Sequence, residues 1–234
     1  MEQYSIALAL QDFVPVALSS IGLFYLAQMI ATAESRSRWP ALLGAWLAML
    51  GGGTKAAWKL NVATTGANIV WMDNTLFILL TPGFIFLAYT LWRAQRAMQG
   101  KPAPMSPWIM PLAASLTALG IAAIVATVSP STRTWNFILL GATTVANFAT
   151  SMLAAWQAFK QGQKIVAGLF ILNIVMIVLL QGLARTGVRT ESMQWVEQIL
   201  NSISNLAFAI AGYRLSRGTQ KNMASLYPRF ARMN

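Results

Sequence analysis

Seven apolar stretches of about 20 residues each run through this sequence from one end to the other. An α-helix needs roughly 20 such residues to cross about 30 Å of hydrocarbon, so each stretch predicts one membrane-spanning helix. The connections are short, so consecutive helices must run antiparallel. The sequence therefore predicts an all-α integral membrane protein with a single seven-helix domain over residues 1–234. The predicted spans are Leu8–Ala31, Pro40–Trp58, Asn74–Leu91, Trp108–Val128, Trp135–Phe159, Ile165–Leu183 and Val196–Leu215.

The composition agrees with a chain embedded in lipid and limits its chemistry. Charged residues make up 10% of the chain, whereas soluble domains contain about 25%. His and Cys are both absent, which removes the usual ligands of zinc, haem and iron–sulfur clusters and the common nucleophiles. We therefore expect no metal and no cofactor, and any acid–base chemistry would depend on carboxylates.

Basic residues are distributed unevenly between the two ends of the predicted bundle. One end holds at most five of them, whereas twelve lie in the first, third and fifth connections and after the last span. The positive-inside rule then predicts an outer N-terminus and a cytoplasmic C-terminus, and we expect the bacterial inner membrane as the location. The five are Lys55, Lys59, Arg133, Arg185 and Arg189; the twelve are Arg36, Arg38, Arg93, Arg96, Lys101, Lys160, Lys164, Arg214, Arg217, Lys221, Arg229 and Arg232.

The formal charge of +11 has the same origin. The basic residues are spread over segments next to the membrane instead of forming a patch on one domain, so the lipid bilayer and its anionic headgroups account for most of them. A nucleic-acid partner is not expected. Residues 218–234 form a basic cytoplasmic tail in this prediction and are the candidate docking segment for a protein partner.

An internal repeat relates the third span to the seventh. At an offset of 124 residues, Trp71-Met72-Asp73-Asn74 aligns with Trp195-Val196-Glu197-Gln198, and the register continues to Arg93 and Arg217 with six identities in 23 positions. The chain then divides into repeat one (residues 8–93), a linking helix (residues 108–128) and repeat two (residues 135–217). Because one span intervenes, both triplets enter the membrane in the same direction, which predicts a parallel repeat about the membrane normal.

This three-one-three plan with an outer N-terminus resembles that of the SWEET sugar transporters, although the Pro-Gln motif of that family is absent here. The plan is more loosely similar to the seven-helix lycopene cyclase domains. Those domains place Pro-x-Glu-Glu at the start of the third helix, where this chain has Trp71-Met72-Asp73-Asn74. The first resemblance implies transport of a solute, and the second implies chemistry on an isoprenoid.

Ionisable residues of the predicted spans collect toward the outer end, where five of the six acids lie. An unpaired charge next to hydrocarbon is costly, so we expect Lys55 or Lys59 to pair with Asp12, Asp73 or Glu197. The alternative is that these groups are solvated at the interface. The run Gly51-Gly52-Gly53 before Thr54 and Lys55 indicates either close helix packing or an unwound segment that lines a site.

Asparagines extend this polar set into the spans. Asn201 and Asn205 follow Glu197 at four-residue spacing, and therefore on one helix face, while Asn147 and Asn173 lie in the fifth and sixth spans. Such residues either form interhelical hydrogen bonds, worth about 0.6 kcal/mol each, or line a polar cavity. The sequence predicts an outward-facing pocket for a small-molecule ligand between the repeats. Its candidate ligand-binding residues are Asp12, Lys55, Asp73, Asn147, Asn173, Glu197, Asn201 and Asn205.

Three classes of function are compatible with such a pocket. A small-molecule transporter is the leading hypothesis. The alternatives are a membrane-embedded enzyme acting on a lipid or isoprenoid, and a non-catalytic subunit or sensor of a membrane complex.

Overall fold

The computed structural model describes residues 5–102, 106–130, 132–185 and 190–230, and this part of the chain is all-helical. Each predicted span lies within one long helix to within a residue, and several helices extend well beyond the predicted span; the exception is the first span, which Asp12 divides into two helices. The helices are α1 (Ile6–Gln11), α2 (Phe13–Ala33), α3 (Arg38–Thr65), α4 (Val70–Met98), α5 (Ile109–Val128), α6 (Thr134–Lys160), α7 (Lys164–Arg185) and α8 (Glu191–Phe230), with a 3-10 turn at Ser35–Ser37.

Among the described residues, five helical segments are long and apolar enough to cross a membrane: α1 with α2, α4, α5, α6 and α7. The sequence predicted seven spans, and α3 and α8 are the two outside this group. Both are long enough, but Lys55 and Lys59 lower the hydropathy of α3, and Glu197 with several Gln, Asn and Ser residues lowers that of the span in α8. The fold is that expected of a helical membrane protein.

Six of the long helices form a closed ring. The order around the ring is α2, α3, α4, α6, α7 and α8, and α8 packs against α2 to close it. Helix α5 lies outside the ring against α4 and α6. The short helix α1 leans over α3 and also contacts α8.

The two ends of the ring differ in packing. We call the end that holds Asp12, Asp73 and Glu197 the acidic end and the opposite end the basic end. No residue of the segments 59–80 and 191–203, which lie toward the acidic end, is fully buried. The apolar core fills the half toward the basic end, where fully buried side chains come from α2, α4, α7 and α8; they include Leu26, Ile30, Leu87, Leu91, Phe170 and Leu215.

The three-glycine run of α3 remains helical, so the interpretation as an unwound segment is wrong and close packing is confirmed. A Cβ atom at Gly51 would lie 2.9 Å from the carbonyl oxygen of Leu76 in α4. A Cβ atom at Gly52 would lie 3.3 Å from a methyl group of Val16 in α2. These glycines therefore let α3 approach both of its ring neighbours, as small residues do in membrane helix pairs.

Two further glycine pairs mark the closest helix crossings. Gly44 of α3 faces Gly83 of α4, and a Cβ atom at Gly44 would lie 2.7 Å from the Gly83 carbonyl oxygen. Gly212 of α8 faces Gly22 of α2, and a Cβ atom at Gly212 would lie 2.7 Å from the Gly22 carbonyl oxygen. Backbone contacts at these points leave no room for a side chain.

Helix α8 is longer than a membrane requires. Its 40 residues span about 60 Å at 1.5 Å per residue. The predicted tail therefore begins as a continuation of α8, which ends at Phe230. Residues 231–234, Arg189 and the side chains of Arg185 and Arg229 lie outside the part of the chain that the structure describes.

Candidate functional site

Lys55 and Asp73 form an ion pair that joins α3 to α4 near the acidic end. Their side chains are 27% and 14% exposed. The Lys55 ammonium also lies 3.9 Å from the centroid of the Trp58 ring, within the range of a cation–π interaction. Arg133, which is largely exposed, approaches the second carboxylate oxygen of Asp73 at 3.6 Å. The pairing expected from the sequence is confirmed, and Asp73 is shared by two cations.

A second ion pair joins Lys59 to Asp12, with 2.6 Å between Nζ and Oδ2. Asp12 is the residue that separates α1 from α2, and its side chain is 9% exposed. Next to it, the Gln11 amide donates to Ser202 Oγ of α8 at 3.1 Å. The two lysines of α3 thus find acids on opposite sides, one from the preceding helix pair and one from the following helix.

The α8 residues of the candidate site form a separate group. Glu197 is half-buried, and no ion pair of Glu197 occurs among the described residues. Asn205 donates to both the carbonyl oxygen and the side-chain oxygen of Asn201, at 2.9 and 2.8 Å. The side-chain oxygens of Gln194 and Gln198 are buried and have no hydrogen-bond partner within the described chain. No contact between Asp73 and Glu197 is present in this part of the structure.

Asn173 lies at the junction of three helices. It is buried in α7, and its amide donates to Ser204 Oγ of α8 at 3.0 Å. Ser151 of α6 lies 3.5 Å from the side-chain oxygens of both Asn173 and Asn147. Asn173 therefore acts as an interhelical hydrogen-bonding group, whereas Asn147 contacts Ser151 within α6.

Two threonines continue this polar layer between α4 and α6. The hydroxyl groups of Thr81 and Thr143 lie 2.8 Å apart, and Thr81 also donates to the carbonyl oxygen of Leu139 at 3.1 Å. Both threonines are buried. These hydrogen bonds join α4 to α6 within the ring.

A buried ion pair at the basic end was missed from the sequence. Arg93 of α4, whose side chain is 4% exposed, pairs with Glu34 and approaches Ser37 Oγ at 3.3 Å. Ser37 in turn donates to Glu34 at 2.5 Å. From the sequence, Arg93 contributed to the predicted orientation and to the repeat alignment, but no ion pair was predicted for it. The available signal was Glu34, the one acid among the basic residues of that end.

The candidate site contains no arrangement typical of a metal centre. Among the described residues, no group of three or more acidic, His or Cys side chains could hold a metal ion. No protein family, no curated protein and no solved structure matches this chain. Its function is therefore argued from the geometry of the site.

Proposed function

We propose that this chain is a transporter that binds a small polar solute in a chamber within the ring, open toward the acidic end. The observation that carries the proposal is the contrast between the two halves. Two ion pairs and several asparagines occupy the half in which the segments 59–80 and 191–203 contain no fully buried residue, and the main cluster of buried apolar side chains fills the other half. The predicted orientation makes the acidic end the outer one, and the proposed chamber would then open outward and be closed inward.

Helix periodicity supports an interior position for the polar side chains. Each ring helix packs against its two neighbours through two different faces. A side chain on the inner surface between those two faces points into the ring. Asn173 meets this condition directly, because it contacts both α6 and α8. On α3, Gly51 faces α4 and Gly52 faces α2, and Lys55 falls between these directions. The same construction directs Asp73, Asn147, Glu197 and Asn201 toward the interior.

The electrostatics favour a small solute with a cationic group. Glu197 has no basic partner in the described chain, so a bound ammonium or guanidinium group would complement it. The buried oxygens of Gln194 and Gln198 lack donors, and buried acceptors without partners are uncommon. Donor groups of the same solute would satisfy them. The Lys55–Asp73 pair would accept a carboxylate or amine at the opposite wall by exchanging partners.

The arrangement of the ring fits a parallel repeat. A rotation of the ring by three helix positions places α2, α3 and α4 on α6, α7 and α8, in that order. The order of neighbours around the ring is then unchanged. Helix α5 stands outside this exchange, as the linking helix of such a repeat must. Substrate sites of repeat-based transporters lie where the two repeats meet, which here is the ring interior.

The test begins with the molecules that copurify with the protein. Untargeted mass spectrometry should find a small polar compound with the wild type and the Glu191→Gln variant, which removes an exposed acid from the same end. Asp73→Asn and Glu197→Gln should each lose that compound while keeping expression, and Glu197→Gln should also keep the thermal stability of the wild type. Vesicles reconstituted with the wild type should then take up the identified compound. Retention of the same compounds by all variants would refute the chamber as a binding site.

The other functional classes predict different outcomes of the same work. A constant protein in stoichiometric amount, without a bound small molecule, would indicate a subunit of a complex. A changed lipid or isoprenoid profile in membranes that lack the protein would indicate an enzyme. Either result without solute uptake would replace transport as the function.

A further inference from the structure

A broad groove lies at the basic end, remote from the candidate chamber. It has a volume of about 840 Å³ and runs between the start of α7 and the last third of α8. We call it the basic groove and define it by Gln163, Lys164, Tyr213, Arg214, Arg217 and Lys221. None of its residues belongs to the acidic-end site.

The walls of the basic groove carry four cationic side chains and no acid. All four are exposed, and no ion pair involving them occurs among the described residues. Arg217 lies over the Tyr213 ring at 5.6 Å from its centroid. The groove also contains the first turn of α7, Lys164 to Val166, where the helix dipole favours an anion.

The shape of the groove is fixed by hydrogen bonds rather than by charges. Gln161 donates to Thr219 Oγ1 of α8 at 2.8 Å, and Gln163 donates to Gln161 at 2.9 Å. Gly218 leaves the space that the Gln163 side chain occupies. The α6–α7 connection is thereby pinned to α8, and the two basic walls are held facing each other.

Arg93 is a cation at the same end of the ring that has a counter-charge within the chain. Arg93 is buried and paired with Glu34 and Ser37. The repeat alignment matches Arg93 with Arg217, but no acid lines the basic groove beside Arg217. Within the described residues Arg217 therefore has no counterpart of Glu34, and a bound anion would supply the missing counter-charge.

We infer that the basic groove binds a phosphate group, supplied by the headgroup of an anionic phospholipid. Its volume lies within the range of about 300–1,000 Å³ that is typical of sites for drug-sized ligands, so it is much larger than a free phosphate ion requires. Ile165, an exposed apolar residue, also lines it and would contact the first part of an acyl chain. Four cations without an acid favour a net anionic lipid over a zwitterionic one.

The test measures binding of defined lipids to the purified full-length chain by native mass spectrometry. Phosphatidylglycerol should bind to the wild type at least tenfold more tightly than phosphatidylcholine. The double variant Arg214→Gln/Arg217→Gln should weaken phosphatidylglycerol binding by about fivefold for each removed charge. Lys164→Gln, on the opposite wall, should weaken it by a similar single step.

The matched control is Arg36→Gln/Arg38→Gln. It removes two exposed cations from the same end of the bundle, and Arg38 lies over Trp39 as Arg217 lies over Tyr213. Phosphatidylglycerol binding by this variant should stay within about twofold of the wild type. Equal losses in control and groove variants, or no preference for phosphatidylglycerol, would overturn the inference.

Inorganic phosphate distinguishes the source of the phosphate group. Millimolar phosphate should leave the bound phosphatidylglycerol in place, because the lipid also gains contacts with the apolar wall. Displacement of the lipid by millimolar phosphate would assign the groove to a soluble phosphate compound and overturn the lipid assignment.

Discussion

Neutralising one member of the Lys55–Asp73 pair should destabilise the protein more than neutralising both. Removal of one partner from a buried ion pair costs about 3–5 kcal/mol, because the other charge is left uncompensated. Here each remaining charge keeps a weaker partner. After Asp73→Asn, Lys55 keeps the Trp58 ring, and after Lys55→Met, Asp73 keeps the exposed Arg133 at 3.6 Å. These contacts are worth about 0.5–1 kcal/mol each.

Because the Lys55 side chain is also 27% exposed, the expected loss of unfolding free energy lies at the lower end of the resulting range, at about 2–3 kcal/mol for each single variant. The double variant Lys55→Met/Asp73→Asn contains no unpaired charge from this pair and should lose only about 1–2 kcal/mol, which gives a coupling of about 3 kcal/mol. Reversible unfolding in mixed micelles with increasing dodecyl sulfate, followed by tryptophan fluorescence, measures all three differences.

A second cycle provides the control for this coupling. Lys55 does not contact Asp12, whose ion-pair partner is Lys59. The losses for Lys55→Met and Asp12→Asn should therefore add to within about 0.5 kcal/mol. If the Lys55/Asp73 losses are also additive, the two groups are solvated independently and the reasoning about a buried pair is wrong.

Three further predictions concern packing, the missed ion pair and orientation. Gly212→Ala should cost about 1–3 kcal/mol because its Cβ atom would meet a backbone carbonyl, whereas Gly120→Ala, in open space on α5, should cost nothing; equal unfolding free energies would contradict the crossing. Arg93→Met should cost about 3–5 kcal/mol in the same unfolding assay, since Glu34 is left unpaired, and a loss below about 1 kcal/mol would show that Glu34 is hydrated. A reporter active only outside the inner membrane should function after Thr190 and fail after Gln161, and the reverse pattern would refute the predicted orientation.

The helices could be located from the sequence because hydropathy alone determines which stretches avoid water. Acidic partners for Lys55 and Lys59 could also be predicted from the sequence, since a cation near hydrocarbon needs an acid and only five acids lie toward that end. The choice of Asp73 and Asp12 over Glu197 could not, because it depends on how α1, α3 and α4 rotate against each other. Those rotations follow from packing at Gly51 and Gly52, which a hydropathy profile does not register.

The Arg93–Glu34 ion pair and the basic groove were not predicted from the sequence, because they too depend on how the helices pack. Positive-inside counting treats every Lys and Arg alike, so it gave no distinction between Arg93, which is buried beside Glu34, and Arg217, which is exposed in the basic groove. The groove also depends on the continuation of α8 beyond the membrane span. The sequence suggested a tail there, because polar residues replace the apolar pattern after Leu215.

The low hydropathy of α3 affects how this helix inserts into the membrane during synthesis. Two lysines in the second half of α3 lower its tendency to partition into lipid alone, because even a single lysine at the centre of a helix adds about 2.5–3.5 kcal/mol to the apparent insertion free energy. The acids that neutralise these lysines lie in segments synthesised just before and just after α3, at Asp12 and Asp73. Asp12 is already synthesised when Lys59 leaves the ribosome. Asp73, the partner of Lys55, is synthesised only later, as part of α4. Stable integration of α3 is therefore expected only after α4 has emerged, so that the first three ring helices enter the bilayer as one unit.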